Sequence, residues 1–172
     1  MIELLTANTP NGKKISIMLE EINLKYKVTK INIQKDEQFK KDFVKLSPFR
    51  KIPIIIDHDT GESLFESGAI LIYLGEKSGK FYEKENKTII NQWLMGQMAY
   101  VGPMLGQHHQ FHHYNSGKSK FGEERYFKIA EKIYKELDER LSVSNFLAGK
   151  KYTIADMATF PWIARHEWHD IG

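Results

Sequence analysis

The chain has 172 residues, enough for one large domain or two small ones, and its 41% hydrophobic and 27% charged residues are ordinary for a globular protein. The net charge of +3 is mild and no basic run is interleaved with aromatic residues, so we expect no nucleic-acid partner. The sequence shows neither a basic-then-apolar leader nor an apolar run of membrane-span length, which predicts a cytoplasmic protein without a membrane partner. Cysteine is absent, so any reactive thiol must arrive on a ligand.

The first predicted elements are a short apolar strand over residues 2–5 and an amphipathic helix after a polar turn. Thr9 suits the N-cap of this helix and Pro10 its first position. Residues spaced i, i+3, i+4 and i+7 form one apolar stripe: Ile15, Met18, Leu19 and Ile22. A strand, turn and helix in this order can direct free backbone N–H groups at an anion, but the same order begins many α/β domains.

Alternating apolar and β-branched residues predict three further strands and two helices before residue 80. The predicted strands are 26–33, 52–56 and 63–65, with a hairpin turn at 57–62, and the predicted helices are 34–47 and 66–79. The order is βαβ followed by ββα. It predicts an α/β thioredoxin-like domain with a mixed sheet over residues 1–80.

Composition changes after Gly79, where a polar linker is predicted over residues 81–87 and an all-helical domain over residues 88–172. The first predicted helix covers residues 88–114 and is expected to kink at Gly102–Pro103, and the second covers 121–141. Thr153 and Asp156 have the capping-box spacing that begins a third helix, with Asp in place of Glu.

Several motifs in this order resemble those of the cytosolic glutathione transferases. They are "KIP" at 51–53, "ESGAILIYL" at 66–74 and "YTIADMA" at 152–158; "TPNGKK", "LFESGAIL" and "GPMLGQ" before a His-rich stretch are similar to the bacterial nu class. That class is related to the yeast nitrogen-regulation prion protein, and its known members are glutathione-dependent disulfide-bond reductases. Members continue for several more helical segments, so the resemblance implies a bundle that is incomplete here, either shortened or naturally truncated.

The resemblance implies a glutathione site around Pro53, which would follow a cis peptide bond, although sequence statistics alone favour trans. Ile52 would pair its backbone with the cysteinyl part of glutathione. Glu66 and Ser67, which otherwise read as a capped helix start, would bind the ammonium and carboxylate of the γ-glutamyl end.

Three further residues correspond to glutathione contacts in the family. Gln38 and Lys51 would hold the glycyl end, and Arg125, in "ERY", would bind a glutathione carboxylate through two parallel hydrogen bonds. Without the resemblance, Lys51 and Arg125 are ordinary surface charges. Phe49 and Arg50 stand where the class usually has polar Asn residues, which changes the contacts expected for the glycyl end.

The catalytic assignment rests on the turn before the first helix. In the family the glutathione sulfur lies near that helix start, where Thr9 would offer a hydroxyl and Asn11 an amide donor. Hydrogen bonds to the sulfur favour the thiolate, which is the nucleophilic form of a thiol. Other classes have a Tyr or Ser at this place as the thiol activator, and this chain has neither. Simple N-capping by Thr9 is compatible with the catalytic role.

The stretch "HHQFHHY" at 108–114 includes two histidine pairs four residues apart, the spacing of some zinc sites. Because no third ligand stands at a matching spacing, we expect no metal.

Glutathione is thus the expected substrate and reductant, with glutathione disulfide as its oxidised partner. The favoured function is reduction of small organic disulfides or peroxides. The alternatives are transfer of glutathione to a small electrophile and a non-catalytic glutathione-binding regulatory module. The family forms dimers, and Phe111, Tyr114 and Tyr126 look exposed, so we also expect a homodimer.

Overall fold

The computed structural model describes residues 1–171 and forms two compact units, Met1–Glu83 and the residues from Lys84 onward. The first unit contains a four-stranded sheet of β1 (Ile2–Thr6), β2 (Tyr26–Lys30), β3 (Ile54–Asp57) and β4 (Glu62–Phe65), in the order β2-β1-β3-β4. β1 is parallel to β2 and antiparallel to β3, and β3 is antiparallel to β4. This mixed sheet confirms the predicted thioredoxin-like domain.

The helices of the first unit are α1 (Pro10–Glu21), α2 (Lys41–Leu46) and α3 (Ser67–Ser78). α1 packs against α3. The predicted apolar stripe of α1 is buried, as its spacing requires: Ile15, Met18 and Leu19 have no exposed surface and Ile22 is 9% exposed.

Two sequence predictions in this unit were wrong in extent. The second strand ends at Lys30 rather than Ile33, because the Asn32 side chain accepts the N–H groups of Gln34 and Lys35 and begins a 3₁₀ turn over Ile33–Lys35. The region 34–47 is not one helix: a second 3₁₀ turn, Glu37–Phe39, precedes α2.

A buried carboxylate connects β3 to α3. Asp57, at the end of β3, accepts a hydrogen bond from the Tyr73 hydroxyl at 2.7 Å and forms an ion pair with Lys77 at 2.7 Å, both from α3. Burial alone would raise the pKa of Asp57, but these two donors and the Asp59 backbone N–H outweigh it and hold the pKa at about 2. The contacts therefore fix α3 against the sheet.

The second unit is helical, with α4 (Lys87–Gly96), α5 (Gly102–His109), α6 (Lys120–Ser142) and α7 (Ile154–Ile163). Wider π-helical turns, Gln97–Val101 and Gln110–Tyr114, follow α4 and α5, and the first of them directly precedes Gly102–Pro103. Such turns accompany the place where proline removes a helix donor. None of the helices among residues 1–171 is long and apolar enough to cross a membrane.

The predicted capping box begins α7. The Thr153 hydroxyl accepts the Ala155 N–H, while Asp156 accepts the Thr153 N–H at 2.9 Å and the Leu147 N–H at 2.8 Å. One Asp side chain thereby accepts backbone N–H groups from both the helix start and the loop before it.

Of the three aromatic residues expected to be exposed, only Tyr114 is, at 60%. Phe111 and Tyr126 are half-buried and stack on each other, with ring centroids 5.2 Å apart. Their pairing joins the π-helical turn after α5 to α6.

Candidate functional site

A cavity of about 230 Å³ in the first unit is formed by three stretches that are distant in sequence. α1 contributes one residue, the segment before β3 four, and the start of α3 two. The lining residues are Asn11, Ser47, Lys51, Ile52, Pro53, Glu66 and Ser67. Six of them are residues that the resemblance assigned to glutathione, and Ser47 is an addition.

The segment before β3 lines one part of this cavity. The Ile52–Pro53 peptide bond is cis, as the resemblance implied. Ile52 lies two residues before Ile54, the first residue of β3, and is outside the β1–β3 register, so an extended ligand could pair with its backbone. Ser47 supports the segment, because its Oγ accepts the Lys51 N–H at 3.1 Å.

The start of α3 supplies the polar end of the cavity. Glu66 is the N-cap residue, but its side chain makes no capping hydrogen bond. The first backbone N–H groups of α3 therefore do not donate to the Glu66 carboxylate. The Glu66 backbone has φ 70°, in the left-handed region that non-glycine residues rarely adopt. Ser67 is 5% exposed and lines the cavity directly after it. A carboxylate acceptor, a hydroxyl and the amides of a helix N-terminus suit a ligand with an ammonium and a carboxylate.

The start of α1 forms the other end. Thr9 Oγ1 accepts the Gly12 N–H at 3.1 Å, which makes Thr9 the predicted N-cap. That bond uses the acceptor side of the hydroxyl, so its hydrogen remains a donor. Asn11 lines the cavity two residues later, whereas Thr9 is not among the lining residues. Both side chains are half-buried.

The sequence analysis assigned no role to Lys14, which lies on α1 behind the residues that line the cavity. Lys14 is 1% exposed, and its Nζ is 3.4 Å from Ser67 Oγ. Burial lowers the pKa of Lys14 to about 7, and the Glu66 carboxylate acts in the opposite direction. A signal was present in the sequence: Asn11, Lys14 and Met18 are spaced i, i+3 and i+7, on one face of the helix.

Two assigned residues are not brought into the cavity lining. Gln38 lies on the 3₁₀ turn before α2, where its Nε2 donates to the Ile33 carbonyl at 3.3 Å and its Oε1 is buried without a partner among residues 1–171. Arg125 is exposed on α6 in the second unit, with its guanidinium 5.9 Å from the Tyr126 ring centroid.

The His-rich stretch packs into an aromatic cluster inside the second unit. His109 Nε2 lies 2.7 Å from His169 Nε2, and His169 Nδ1 lies 2.7 Å from the Tyr134 hydroxyl. Burial, with neighbouring cationic groups, lowers the pKa of His109 to about 3 and of His169 to about 4. Among residues 1–171 no three His, Asp or Glu side chains are placed to hold a metal ion.

The fold is a thioredoxin-like unit with a cavity beside a cis-proline, followed in sequence by a helical unit. The family model of the glutathione S-transferase N-terminal domain matches residues 2–76, and that of the C-terminal domain matches residues 103–172. The chain belongs to the glutathione S-transferase family, which confirms the resemblance drawn from the motifs.

Similar proteins include two from Escherichia coli (strain K12). The disulfide-bond oxidoreductase YfcG is 45% identical over 95% of this chain and 79% of its own length. The disulfide-bond oxidoreductase YghU is 36% identical over 94% of this chain, which spans only 59% of YghU. The chain thus covers less than two thirds of some relatives.

Among solved structures, a glutathione transferase from Burkholderia graminis with two glutathione molecules bound per subunit superposes with a TM-score of 0.93 at 37% identity, covering 99% of this chain and 75% of that one. A glutathione transferase from Pseudomonas putida with one glutathione disulfide bound per subunit gives 0.89 at 38% identity, covering 98% and 77%.

Proposed function

We propose that the protein is a glutathione-dependent disulfide-bond reductase that binds glutathione in the 230 Å³ cavity. The observation that carries the proposal is the meeting of Asn11, Ile52 and Ser67, from three separate stretches, around one cavity beside a cis-proline. The names of YfcG and YghU support the reaction type.

The lining chemistry fits glutathione in one direction. Glu66 and Ser67 would receive the ammonium and carboxylate of the γ-glutamyl end, and the Ile52 backbone would pair with the cysteinyl peptide groups. The sulfur would then lie towards Asn11 and Thr9 at the start of α1, whose donors favour the thiolate. Lys51, which also lines the cavity, would then hold the glycyl end, and Gln38 is proposed to reach that end from outside the lining.

The reaction needs no sulfur from the chain, which contains no cysteine. The bound glutathione thiolate attacks one sulfur of R–S–S–R, forms G–S–S–R and releases one thiolate, which takes up a proton. A second glutathione thiolate attacks the glutathione sulfur of that mixed disulfide, giving G–S–S–G and the second thiol. Two glutathiones thus supply both electrons. The most reducing glutathione pool is cytosolic, which favours a cytoplasmic location.

The decisive experiment follows reduction of a small bis-disulfide substrate by glutathione, with formation of glutathione disulfide as the readout. We expect turnover well above the uncatalysed rate and a loss of turnover in Ser67→Ala, with Ser63→Ala on exposed β4 as the matched control. Binding of glutathione without turnover of a disulfide, a peroxide or an aryl electrophile would favour a non-catalytic module instead. Turnover of the electrophile alone would favour the transferase alternative.

Two further proposals come from the resemblance. Arg125 is proposed to bind a glutathione carboxylate, so Arg125→Lys and Arg125→Ala should weaken binding alike while Lys128→Ala does not, as measured by calorimetric titration.

The chain is proposed to form a homodimer. A single species of 20.1 kDa by sedimentation at micromolar concentration would contradict that proposal.

A further inference from the structure

A buried ammonium lies behind the anion-binding end of the cavity, where no motif predicted one. Lys14 is 1% exposed and is the largest side chain of the first unit to be so fully enclosed, yet it does not line the cavity. Its Nζ instead reaches Ser67 Oγ at 3.4 Å, and Ser67 does line the cavity. A ligand at Ser67 is thus separated from this cation by one hydroxyl group.

Burying an ammonium costs free energy unless something offsets that cost. One charge that acts on Lys14 is the Glu66 carboxylate, from the segment before α3, and Glu66 is itself exposed at the cavity. Lys13, its neighbour on α1, is exposed, and Lys51 also lines the cavity. Because burial lowers the pKa of Lys14 to about 7, an anion bound at Ser67 would favour the charged form.

The hydrogen-bond chemistry gives the contact a direction. An ammonium only donates, so Ser67 Oγ accepts from Lys14, and the hydroxyl hydrogen of Ser67 is directed away from the ammonium. A Ser67 hydroxyl held in this way can turn its hydrogen towards a carboxylate. The first amides of α3 point to the same region, and the positive charge of Lys14 adds to theirs.

We propose that Lys14 is a positioning residue for the carboxylate of the γ-glutamyl end of glutathione, acting through the Ser67 hydroxyl and through its own charge. The proposal rests on the proposed function, since it assigns that end of glutathione to Ser67. Lys14 touches no substrate in this arrangement. Its effect is confined to ligands that have the carboxylate.

The test measures binding of two ligands by calorimetric titration. One is glutathione, and the other is the analogue in which the α-carboxylate of the γ-glutamyl group is replaced by hydrogen. We expect Lys14→Met to weaken glutathione binding by about tenfold or more, as for loss of a charge-assisted interaction, and to leave binding of the analogue unchanged. Lys13→Met, which removes the same charge from an exposed neighbour, should change neither.

A second variant protects the test against a folding defect. Lys14→Gln retains an N–H donor without the charge, so it should fall between wild type and Lys14→Met, with thermal melts showing that both variants fold. Equal affinities in wild type and both variants would overturn the role of Lys14 and leave the proposed function standing. The same would follow if both ligands lost affinity equally, because Lys14 would then only support the fold. Absence of glutathione binding by the wild type would overturn both proposals.

Discussion

At the scale of single residues, Thr9 at the start of α1 has an observed structural role and a proposed chemical role. Thr9 Oγ1 caps the helix by accepting the Gly12 N–H, and the same hydroxyl is the proposed donor to the glutathione sulfur. These roles use different sides of the oxygen and do not compete. N-capping, which alone would be an ordinary explanation of the sequence, therefore also fixes the direction of the donor.

Removing these donors should raise the pKa of the bound thiol. Each charge-assisted hydrogen bond contributes about 1.5–3 kcal/mol, which corresponds to a rise of about one to two pKa units for Asn11→Ala and for Thr9→Val. An ultraviolet titration of the thiolate in the complex measures the shift, and disulfide turnover should fall with it.

Two controls separate this chemistry from stability. Thr9→Ser retains the cap and the hydroxyl and should titrate like wild type, as should Asn8→Ala at the exposed position beside the turn. An unchanged titration in both Thr9→Val and Asn11→Ala would contradict the assignment.

At the scale of elements, α1 approaches the end of β1 so closely that only glycine fits at one position. A Cβ on residue 12 would lie 2.3 Å from Thr6 Oγ1 and 2.4 Å from the Ala7 carbonyl oxygen, and the backbone atom cannot move aside cheaply. Close approach at Gly12 holds the start of α1 against the carboxyl end of β1, and Asn11 in this helix start lines the cavity.

Gly12→Ala should therefore destabilise the protein by about 1–3 kcal/mol, the usual cost of overpacking. Gly96 is the matched control: it has helical φ −57° and ψ −40°, and within residues 1–171 no atom outside its own helix backbone lies within 4 Å of the position that an alanine methyl group would take. Gly96→Ala should stabilise by up to about 1 kcal/mol, because alanine is the better helix former. Urea midpoints of the two variants measure the difference, and equal shifts would contradict the close-approach argument.

Local signals were enough to predict most elements of this chain. The stripe of α1, the hairpin between β3 and β4 and the capping box of α7 each depend on neighbours within a few residues, and each was predicted close to its observed place. The errors at 30–40 have the same local origin, since Asn32 acts as a cap that strand propensity did not anticipate.

The cavity could not be predicted from local sequence patterns alone. Lys14 follows Lys13, and nothing in that pair alone indicates that one is exposed and the other 1% exposed; the packing of α1 on α3 decides it. Only the family resemblance assigned Asn11, Ile52 and Ser67 to one site before the structure was known. The cavity itself follows from tertiary contacts between α1, the segment before β3 and α3.

At the scale of the whole molecule, buried neutral histidines connect stability to pH. His109 and His169 have pKa values of about 3 and about 4 in the folded protein, below the ordinary value of 6.5. Above pH 6.5 both folded and unfolded chains hold these rings neutral, so their contribution to stability is complete. As the pH falls from about 6.5 towards about 4, the unfolded chain binds protons that the folded chain does not, and stability is lost.

The melting temperature should accordingly fall between about pH 7 and about pH 4.5, before the Asp57 ion pair is titrated, since the pKa of Asp57 is about 2. His109→Gln, which retains hydrogen-bonding groups without a titrating ring, should reduce this fall. Identical slopes in wild type and His109→Gln would show that the cluster does not control acid stability.

The left-handed backbone of Glu66 implies an exchange of stability for function. A non-glycine residue at φ 70° and ψ 114° costs about 1–3 kcal/mol, so glycine would suit the conformation better, but glycine would not offer the proposed ligand a carboxylate. Glu66→Gly removes the strain but also the carboxylate that favours the buried charge of Lys14, so the strain is measured in the Lys14→Met background. There Glu66→Gly should raise the melting temperature, as should Asp36→Gly, at φ 58° outside the cavity; in the chain that retains Lys14, Glu66→Gly should abolish glutathione binding and Asp36→Gly should not. A lower melting temperature of Glu66→Gly in the Lys14→Met background would contradict this. Selection for a relaxed backbone alone would therefore favour glycine at this position, and selection for the proposed ammonium contact would retain glutamate.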